Sequence, residues 1–207
     1  MAAFGAGGAS FRGRWGPVAK AAVTSGSLMA CGDALAQALQ RRGVRFDTAD
    51  ARRAAPPAGP APAAAPAAGP GGEGAAGPVD LARVGRLFTF GLGFYGPAQH
   101  YWYAYLARTF PVAAGTRAFL SKVALNQLAL GPVVTSCLFA WNLALQGRRD
   151  EVPGKIRTDL LPTLVKGWSF WVPASSVNFY AVPLQHQVLY MSSCGLVWGT
   201  ILSLASS

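Results

Sequence analysis

Charged side chains are scarce in this chain of 207 residues, and those present are clumped. Asp, Glu, Lys and Arg make up 13% of the sequence, against about a quarter in soluble domains, while 52% is hydrophobic and the mean hydropathy is +0.29. Uncharged runs cover residues 87–107, 123–147 and 167–207. A small soluble core cannot hide several runs of this length, so the sequence predicts membrane-spanning helices.

Side chains that carry chemistry are equally few. Cys31, Cys137 and Cys194 lie in separate apolar runs, and His100 and His186 are the only histidines. None of them forms a CxxC motif, a metal-ligand spacing or a nucleophile–base pair. The sequence therefore predicts a protein that is not an enzyme and that has no catalytic, cofactor-binding or metal site.

Positive charge exceeds negative charge, and the net charge of +10 raises the question of nucleic acid. The 18 Lys and Arg residues flank the apolar runs and form no basic face on one element. Such flanking charge orients membrane helices and meets anionic lipid headgroups. We therefore expect the lipid bilayer and small solutes as partners, with a second copy of the chain as a further candidate and no nucleic acid.

The stretch GLGFYGPAQHYWY, residues 91–103, contains the Gly91-x-Gly93-x-x-Gly96 spacing of a dinucleotide-binding loop. That loop needs a preceding strand and an acidic residue about 20 positions later, but residues 81–149 contain no Asp or Glu. Membrane helices approach one another closely at small residues. We therefore predict that the three glycines allow helices to touch.

The predicted fold is an all-α integral membrane protein, with about four transmembrane helices in a small bundle and one interfacial amphipathic helix. Residues 51–78 are rich in Ala, Pro and Gly and are expected to be a disordered linker. The remaining segments are a basic N-terminal flank or targeting segment (1–16), a first transmembrane helix with its flank (17–50) and the rest of the bundle (79–207). The spans are expected at 17–40, 81–108, 118–146 (with a kink at Gly131-Pro132) and 184–204.

The region between the last two spans has its own helical pattern. Ile156, Leu160 and Leu164 recur every four residues among charged positions, which predicts the interfacial helix over residues 153–166. Residues 168–182 are short for a crossing and are expected to be re-entrant or interfacial. When charges near the span ends are counted with the adjoining segment, Lys and Arg number twelve around the two loops after spans one and three, against six around the N-terminal flank and the other loop. This bias predicts that both termini lie on the opposite side.

Asp33 is the one acidic residue inside a predicted span. It shares a helical face with Gly26, Ala30 and Gln37, and an ionised carboxylate in a bilayer is expensive unless it is paired or hydrated. Two interpretations stand: a pore-lining or gating residue, or a structural hydrogen bond to His100, Gln127 or Asn178. The tryptophans expected to pack or to lie at the membrane interface are Trp102, Trp168, Trp171 and Trp198.

Five stretches of this chain carry a resemblance to a known family. They are GSLMACGDALAQALQRRG (26–43), GFYGPAQHYWYAYL (93–106), KVALNQLALGP (122–132), NFYAVPLQHQVLY (178–190) and VWGTILS (197–203). The chain resembles the Mpv-seventeen/twenty-two-kilodalton peroxisomal membrane protein family, small four-span proteins of the mitochondrial inner membrane, peroxisomes and plastids. The Ala/Pro-rich segment looks like an insertion in that pattern.

The resemblance implies a channel or small-metabolite permeability protein of an organellar membrane, linked to organelle homeostasis, reactive oxygen species and mitochondrial DNA maintenance. The mitochondrial inner membrane is the expected location, with peroxisomal and plastid membranes as alternatives. A non-transporting structural or assembly factor is the alternative function. The candidate pore or bundle residues are Gly32, Asp33, Gln37, Gly96, Pro97, Trp102, Gln127, Asp159, Trp171, Asn178 and Pro183.

Three positions depart from the family pattern that the resemblance implies. Val172 separates Trp171 from Pro173, Ser175 stands where a Gln is usual, and Gln187 stands where an Arg is usual. If the usual Gln and Arg set the polarity of a pore, the selectivity of this protein differs from that of its relatives.

Overall fold

The computed structural model describes residues 6–42, 78–111 and 115–205, with side chains described over 16–42, 78–111 and 115–201. These residues are almost entirely helical and contain no strand, which confirms the predicted all-α class. The predicted linker lies outside the described residues up to residue 77. So do most side chains of the predicted N-terminal flank.

The described helices form five rods. The α-helices are α1 (Ala6–Arg41), α2 (Leu81–Phe90), α3 (Gly96–Thr109), α4 (Gly115–Leu125), α5 (Gly131–Leu145), α6 (Val152–Ala181) and α7 (Leu184–Ala205). Two π-helical segments make single rods of α2 with α3 and of α4 with α5: Gly91–Tyr95 and Asn126–Leu130. A short 3-10 turn, Arg149–Glu151, leads into α6.

Both π segments stand directly before a Gly-Pro pair. The N–H of Gly96 donates to the carbonyl of Gly91, and the N–H of Gly131 donates to that of Asn126, five residues back in each case. Proline has no N–H to donate and clashes with the carbonyl four residues earlier in a regular α-helix. The wider turn admits Pro97 and Pro132 without ending the rod, so the irregularity expected at Gly131-Pro132 takes the form of a π segment before it.

Helix α1 packs antiparallel on the α2–α3 rod through glycine. A Cβ atom on Gly91 would lie 2.7 Å from the Cα of Gly26, and one on Gly96 would lie 2.5 Å from the carbonyl oxygen of Ala21. These backbones therefore touch, as predicted for Gly91 and Gly96. The prediction is wrong for Gly93, because a Cβ there would meet only the ring of Trp141 at 3.9 Å, an ordinary contact.

Helix α7 runs parallel to α1 on another of its faces. A Cβ on Gly32 would lie 3.1 Å from the Cα of Leu196, and the hydroxyl groups of Ser25 and Ser192 are 2.9 Å apart and fully buried. Small residues thus hold α1 against both of its neighbours.

Helix α6 differs from the sequence-based expectation. It is one continuous helix of 30 residues with Pro162 and Pro173 inside it, so residues 153–166 and 168–182 are not separate elements. The two prolines remove two intrahelical hydrogen bonds, but contacts with the α4–α5 rod hold both halves in line. By length and composition alone, one stretch of the described residues, Gly115–Leu145, is long and apolar enough to cross a membrane.

Candidate functional site

The interior of the described bundle is as polar as it is apolar. Thirteen polar or charged residues are buried beside fourteen hydrophobic ones, while large hydrophobic side chains such as Leu128, Val133 and Tyr180 are exposed. This distribution is the reverse of a soluble domain, in which buried polar groups are the exception. The candidate site is therefore the set of polar contacts inside the bundle.

One polar cluster joins the end of α1 to the start of α2. Asp33 accepts an ion-paired hydrogen bond from Arg83 (Nη2 to Oδ1, 2.7 Å) and a second hydrogen bond from the amide of Gln37 (2.8 Å). The backbone N–H of Asp80 donates to Gln37 Oε1 at 2.7 Å, and Asp80 Oδ1 caps α2 by accepting from the N–H of Arg83. We call these four residues the Asp33 cluster.

The Asp33 cluster shows how the buried acid is paired. The side chain of Asp33 is 2% exposed and that of Arg83 is 20% exposed, so the carboxylate is both covered and neutralised. The expected partners His100, Gln127 and Asn178 were wrong. Helical periodicity gave the face of α1 on which Asp33 lies. It could not give the partner, because Arg83 lies on α2, after a long intervening segment.

A second polar cluster crosses the middle of the bundle between α3, the second π segment and α6. Trp102 Nε1 donates to Asn126 Oδ1 (3.2 Å), and the amide groups of Asn126 and Gln127 both donate to the hydroxyl oxygen of Ser175, at 2.9 and 2.8 Å. Gln127 also donates to the carbonyl of Trp171 at 2.9 Å. The π segment brings two consecutive amide side chains to the same hydroxyl, and we call this set the Ser175 cluster.

Farther along the same interior, buried polar atoms lack partners. Gln99 donates to the hydroxyl of Tyr103 (3.1 Å), whose ring packs edge-on against Phe179 at 5.7 Å. Among the described residues, the Oε1 atom of Gln99 has no hydrogen-bond partner, and Asn178 is fully buried with neither its Oδ1 nor its Nδ2 bonded. Buried amides are normally satisfied by protein or by water, so we expect a polar partner beside these atoms.

One further contact lies near the end of α5 and another near the start of α6. Arg86 Nε donates to Asn142 Oδ1 at 3.3 Å. Asp159 accepts from Lys155, one turn earlier on the same helix, at 2.8 Å, and that ammonium lies 5.1 Å from the centre of the Phe139 ring. Asp159 therefore forms a largely buried ion pair within α6 and belongs to neither cluster.

The comparisons with known proteins agree with this all-helical bundle. The Mpv17 / PMP22 family pattern matches residues 143–203. PXMP2/4 family protein 4 of Dictyostelium discoideum is 32% identical over 129 residues, covering 62% of this chain and 69% of that protein. This chain belongs to the Mpv17/PMP22 family. No solved structure matches it.

Other relatives of the Mpv17/PMP22 family cover nearly the whole chain. Protein sym1 of Aspergillus oryzae is 27% identical over 192 residues, or 92% of this chain and 91% of the relative. The mitochondrial inner membrane protein Mpv17 of Xenopus laevis is 26% identical over 183 residues, or 87% and 85%. Family membership supports an organellar membrane protein.

The structure separates the Mpv17/PMP22 candidate residues into several locations. Asp33 and Gln37 lie in the Asp33 cluster, whereas Trp102, Gln127 and the carbonyl of Trp171 lie in the Ser175 cluster. Asp159 pairs with Lys155 outside both clusters. The remaining five have packing or backbone roles or lack a described side-chain partner: Gly32 against Leu196, Gly96 with Pro97 after the π segment, Asn178 without a side-chain partner among the described residues, and Pro183, whose carbonyl accepts from the N–H of His186.

Trp171 and Trp198 are packing residues in the described structure. Phe170 contacts the rings of both, each at 5.1 Å between centroids.

Of the three positions expected to depart from the family pattern, Ser175 and Gln187 face the interior. Ser175 receives the two amides of its cluster, and Gln187 donates to the carbonyls of Asn178 (3.3 Å) and Val182 (3.1 Å) at the end of α6.

Three polar residues of the interior escaped the sequence reasoning. Arg83 and Lys122 lie near predicted span boundaries and have the pattern of flanking charges. Asn126 is a small polar residue within an apolar run. The one signal that could have found Asn126 is its position beside Gln127 in a stretch without charge.

Proposed function

We propose that this chain is an organellar membrane protein that forms a permeability path for small solutes. The observation that carries the proposal is the fully buried and unpartnered amide of Asn178, together with the unpartnered Oε1 of Gln99. Such atoms need water or a polar solute as a partner. Exposed hydrophobic side chains on the outside and a hydrated interior are the features of a membrane permeability protein.

Planar-bilayer recording and liposome flux with the purified protein test this proposal. A conductance or a solute flux that depends on the protein is the expected result. The proposal fails if neither is seen at any voltage or redox condition while the protein is shown to be folded and inserted.

A structural or assembly factor is the second candidate, and the Asp33 cluster favours it. The acid that would confer charge selectivity on a pore is covered and paired with Arg83. Polar contacts of this kind hold membrane helices together. Affinity capture from organelle membranes that yields a stoichiometric partner, with solute flux unchanged on deletion of the protein, would favour this function.

The packing also bears on the number of crossings. Each rod has at least the 22 residues of α7, which is about 33 Å of helix and enough to cross a hydrocarbon core. Helix α6 runs antiparallel along the α4–α5 rod, with Phe119 beside Tyr180 and Lys155 beside Phe139. A helix lying in the membrane plane could not keep these contacts with a crossing rod, so we favour five crossings over the predicted four.

The compartment follows from the relatives. The Xenopus laevis relative is named as a mitochondrial inner membrane protein, and we propose the same membrane for this chain, with peroxisomal and plastid membranes as the alternatives. Fluorescent tagging with markers for the three organelles tests the assignment, and colocalisation with a peroxisomal or plastid marker alone would contradict it.

A further inference from the structure

Lys122 is a buried cation without a counter-ion. It lies on α4 with 7% of its surface exposed, and it forms no hydrogen bond or ion pair in the described structure. A buried ammonium group costs several kcal/mol unless an anion or hydrogen-bond acceptors surround it. The region around Lys122 therefore requires a negative partner.

The described part of the chain offers no such partner nearby. Residues 81–149 contain no acid, and no acid follows Asp159. Among the described acids, Asp33 is occupied by Arg83 and Asp159 by Lys155. Asp159 lies 19 residues before Asn178 on α6, which corresponds to about 28 Å along the helix axis.

The register of α6 against the α4–α5 rod places Asn178 at the level of Lys122. Phe119 meets Tyr180 at 6.3 Å, and Asn126 bonds Ser175 at 2.9 Å one turn beyond Lys122. Lys122 shares its helical face with Asn126, and Asn178 shares its face with Ser175. Lys122, a largely buried lysine with no described partner, and the buried unpaired amide of Asn178 thus lie between the same two rods at the same depth.

We infer that Lys122 and Asn178 form an internal site for a small monovalent anion, either a halide or a carboxylate. The ammonium group supplies charge and three N–H donors, and the amide Nδ2 supplies two more, so the site offers charge-assisted hydrogen bonds to one anionic group. The inference goes beyond the proposed function, because a protein that conducts nothing can still hold this anion. The phosphate of a lipid headgroup shares the same chemistry and is distinguished below.

Chloride NMR on the purified full-length protein in uncharged detergent micelles tests the site. Exchange with a protein site broadens the chloride signal, and acetate should reverse this broadening by competition. Lys122→Gln should weaken chloride binding, measured from the saturable broadening, roughly tenfold or more, because one charge-assisted contact is lost. Arg117→Gln is the matched control, since it removes an exposed positive charge from the same helix and should leave the broadening unchanged.

A second variant keeps the test valid if Lys122→Gln does not fold. Asn178→Asp places a carboxylate at the level of Lys122, so it should abolish chloride binding while raising the thermal unfolding midpoint. Lys122→Gln or Asn178→Asp protein that broadens chloride as the original protein does would overturn the inference. Competition by anionic lipid alone, with acetate ineffective, would assign the site to a headgroup and overturn the small-anion assignment. None of these measurements needs conduction. A negative result for the anion site can therefore be distinguished from a negative result for the permeability function.

Discussion

Asp33 and Arg83 form an ion pair of 2.7 Å that ties the end of α1 to the start of α2. The two residues are separated in sequence by the Ala/Pro/Gly-rich segment and are the charged pair of the Asp33 cluster. The buried acid of this chain therefore connects two helices, and its charge is already balanced.

Asp33→Asn should destabilise the protein without changing ion selectivity. The amide keeps the contact with Gln37 but leaves Arg83 partly buried and unpaired, at a cost of about 1–3 kcal/mol. Asp33→Asn combined with Arg83→Gln should recover part of the loss, as a double-mutant cycle in thermal unfolding would show. Reversal potentials under a salt gradient should match those of the original protein. A shifted reversal potential would show that Asp33 contributes to ion selectivity and lies near the conduction path.

Gly96→Ala should destabilise the contact between α1 and α3. The added methyl group would lie 2.5 Å from the carbonyl oxygen of Ala21, so the two backbones must separate, at about 1–3 kcal/mol. Gly85→Ala is the matched control, because nothing lies within 4 Å of a Cβ there, and it should raise stability by up to about 1 kcal/mol. Thermal unfolding in detergent measures both, and equal effects would mean that close backbone approach is unimportant.

Ser175→Ala should weaken the contact between α6 and the second π segment. Its hydroxyl oxygen accepts from Asn126 and Gln127, and removal leaves a buried amide donor unsatisfied, at a cost of about 1–3 kcal/mol. Ser176→Ala removes a hydroxyl that bonds only the carbonyl of Val172 within the same helix, so it should be nearly silent. Comparable unfolding midpoints for the two variants would contradict a structural role for the Ser175 cluster.

Deletion of residues 54–77 should leave membrane insertion and any flux intact. The backbone of Asp80 bonds Gln37, so the ends of α1 and α2 are already adjacent and a shorter connection can join them. Loop-closure entropy changes slowly with length, which limits the effect on stability. Carbonate extraction and liposome flux of the deleted protein measure this. Loss of insertion would reveal a structural or targeting role for the segment.

Five crossings place the two termini on opposite sides of the membrane, whereas four place them on the same side. Peptide tags at each end, probed by protease in sealed organelles, distinguish the two. We expect one tag to be protected and the other cleaved. Identical behaviour of both tags would support four crossings and an in-plane position for part of α6.

Much of the fold was accessible to sequence reasoning because hydropathy and helical period are local properties. The bounds of α7 and the extents of the rods that contain Gly96 and Gly131 follow the predicted spans closely. The continuity of α6 was missed because its charged first half and two prolines suggest a break. Contacts with a neighbouring rod, which no local pattern records, keep that helix continuous.

By itself, the sequence determined the helical class, the candidate spans, the importance of Asp33 and Gln37, and the contact role of Gly91 and Gly96. Only the tertiary structure decided that Arg83 neutralises Asp33, that Ser175 gathers the two amides of the π segment, and that Lys122 lies level with Asn178. The physical reason is that periodicity gives the face of a helix on which a side chain lies. Which helix meets that face, and at what register, depends on packing among all five rods.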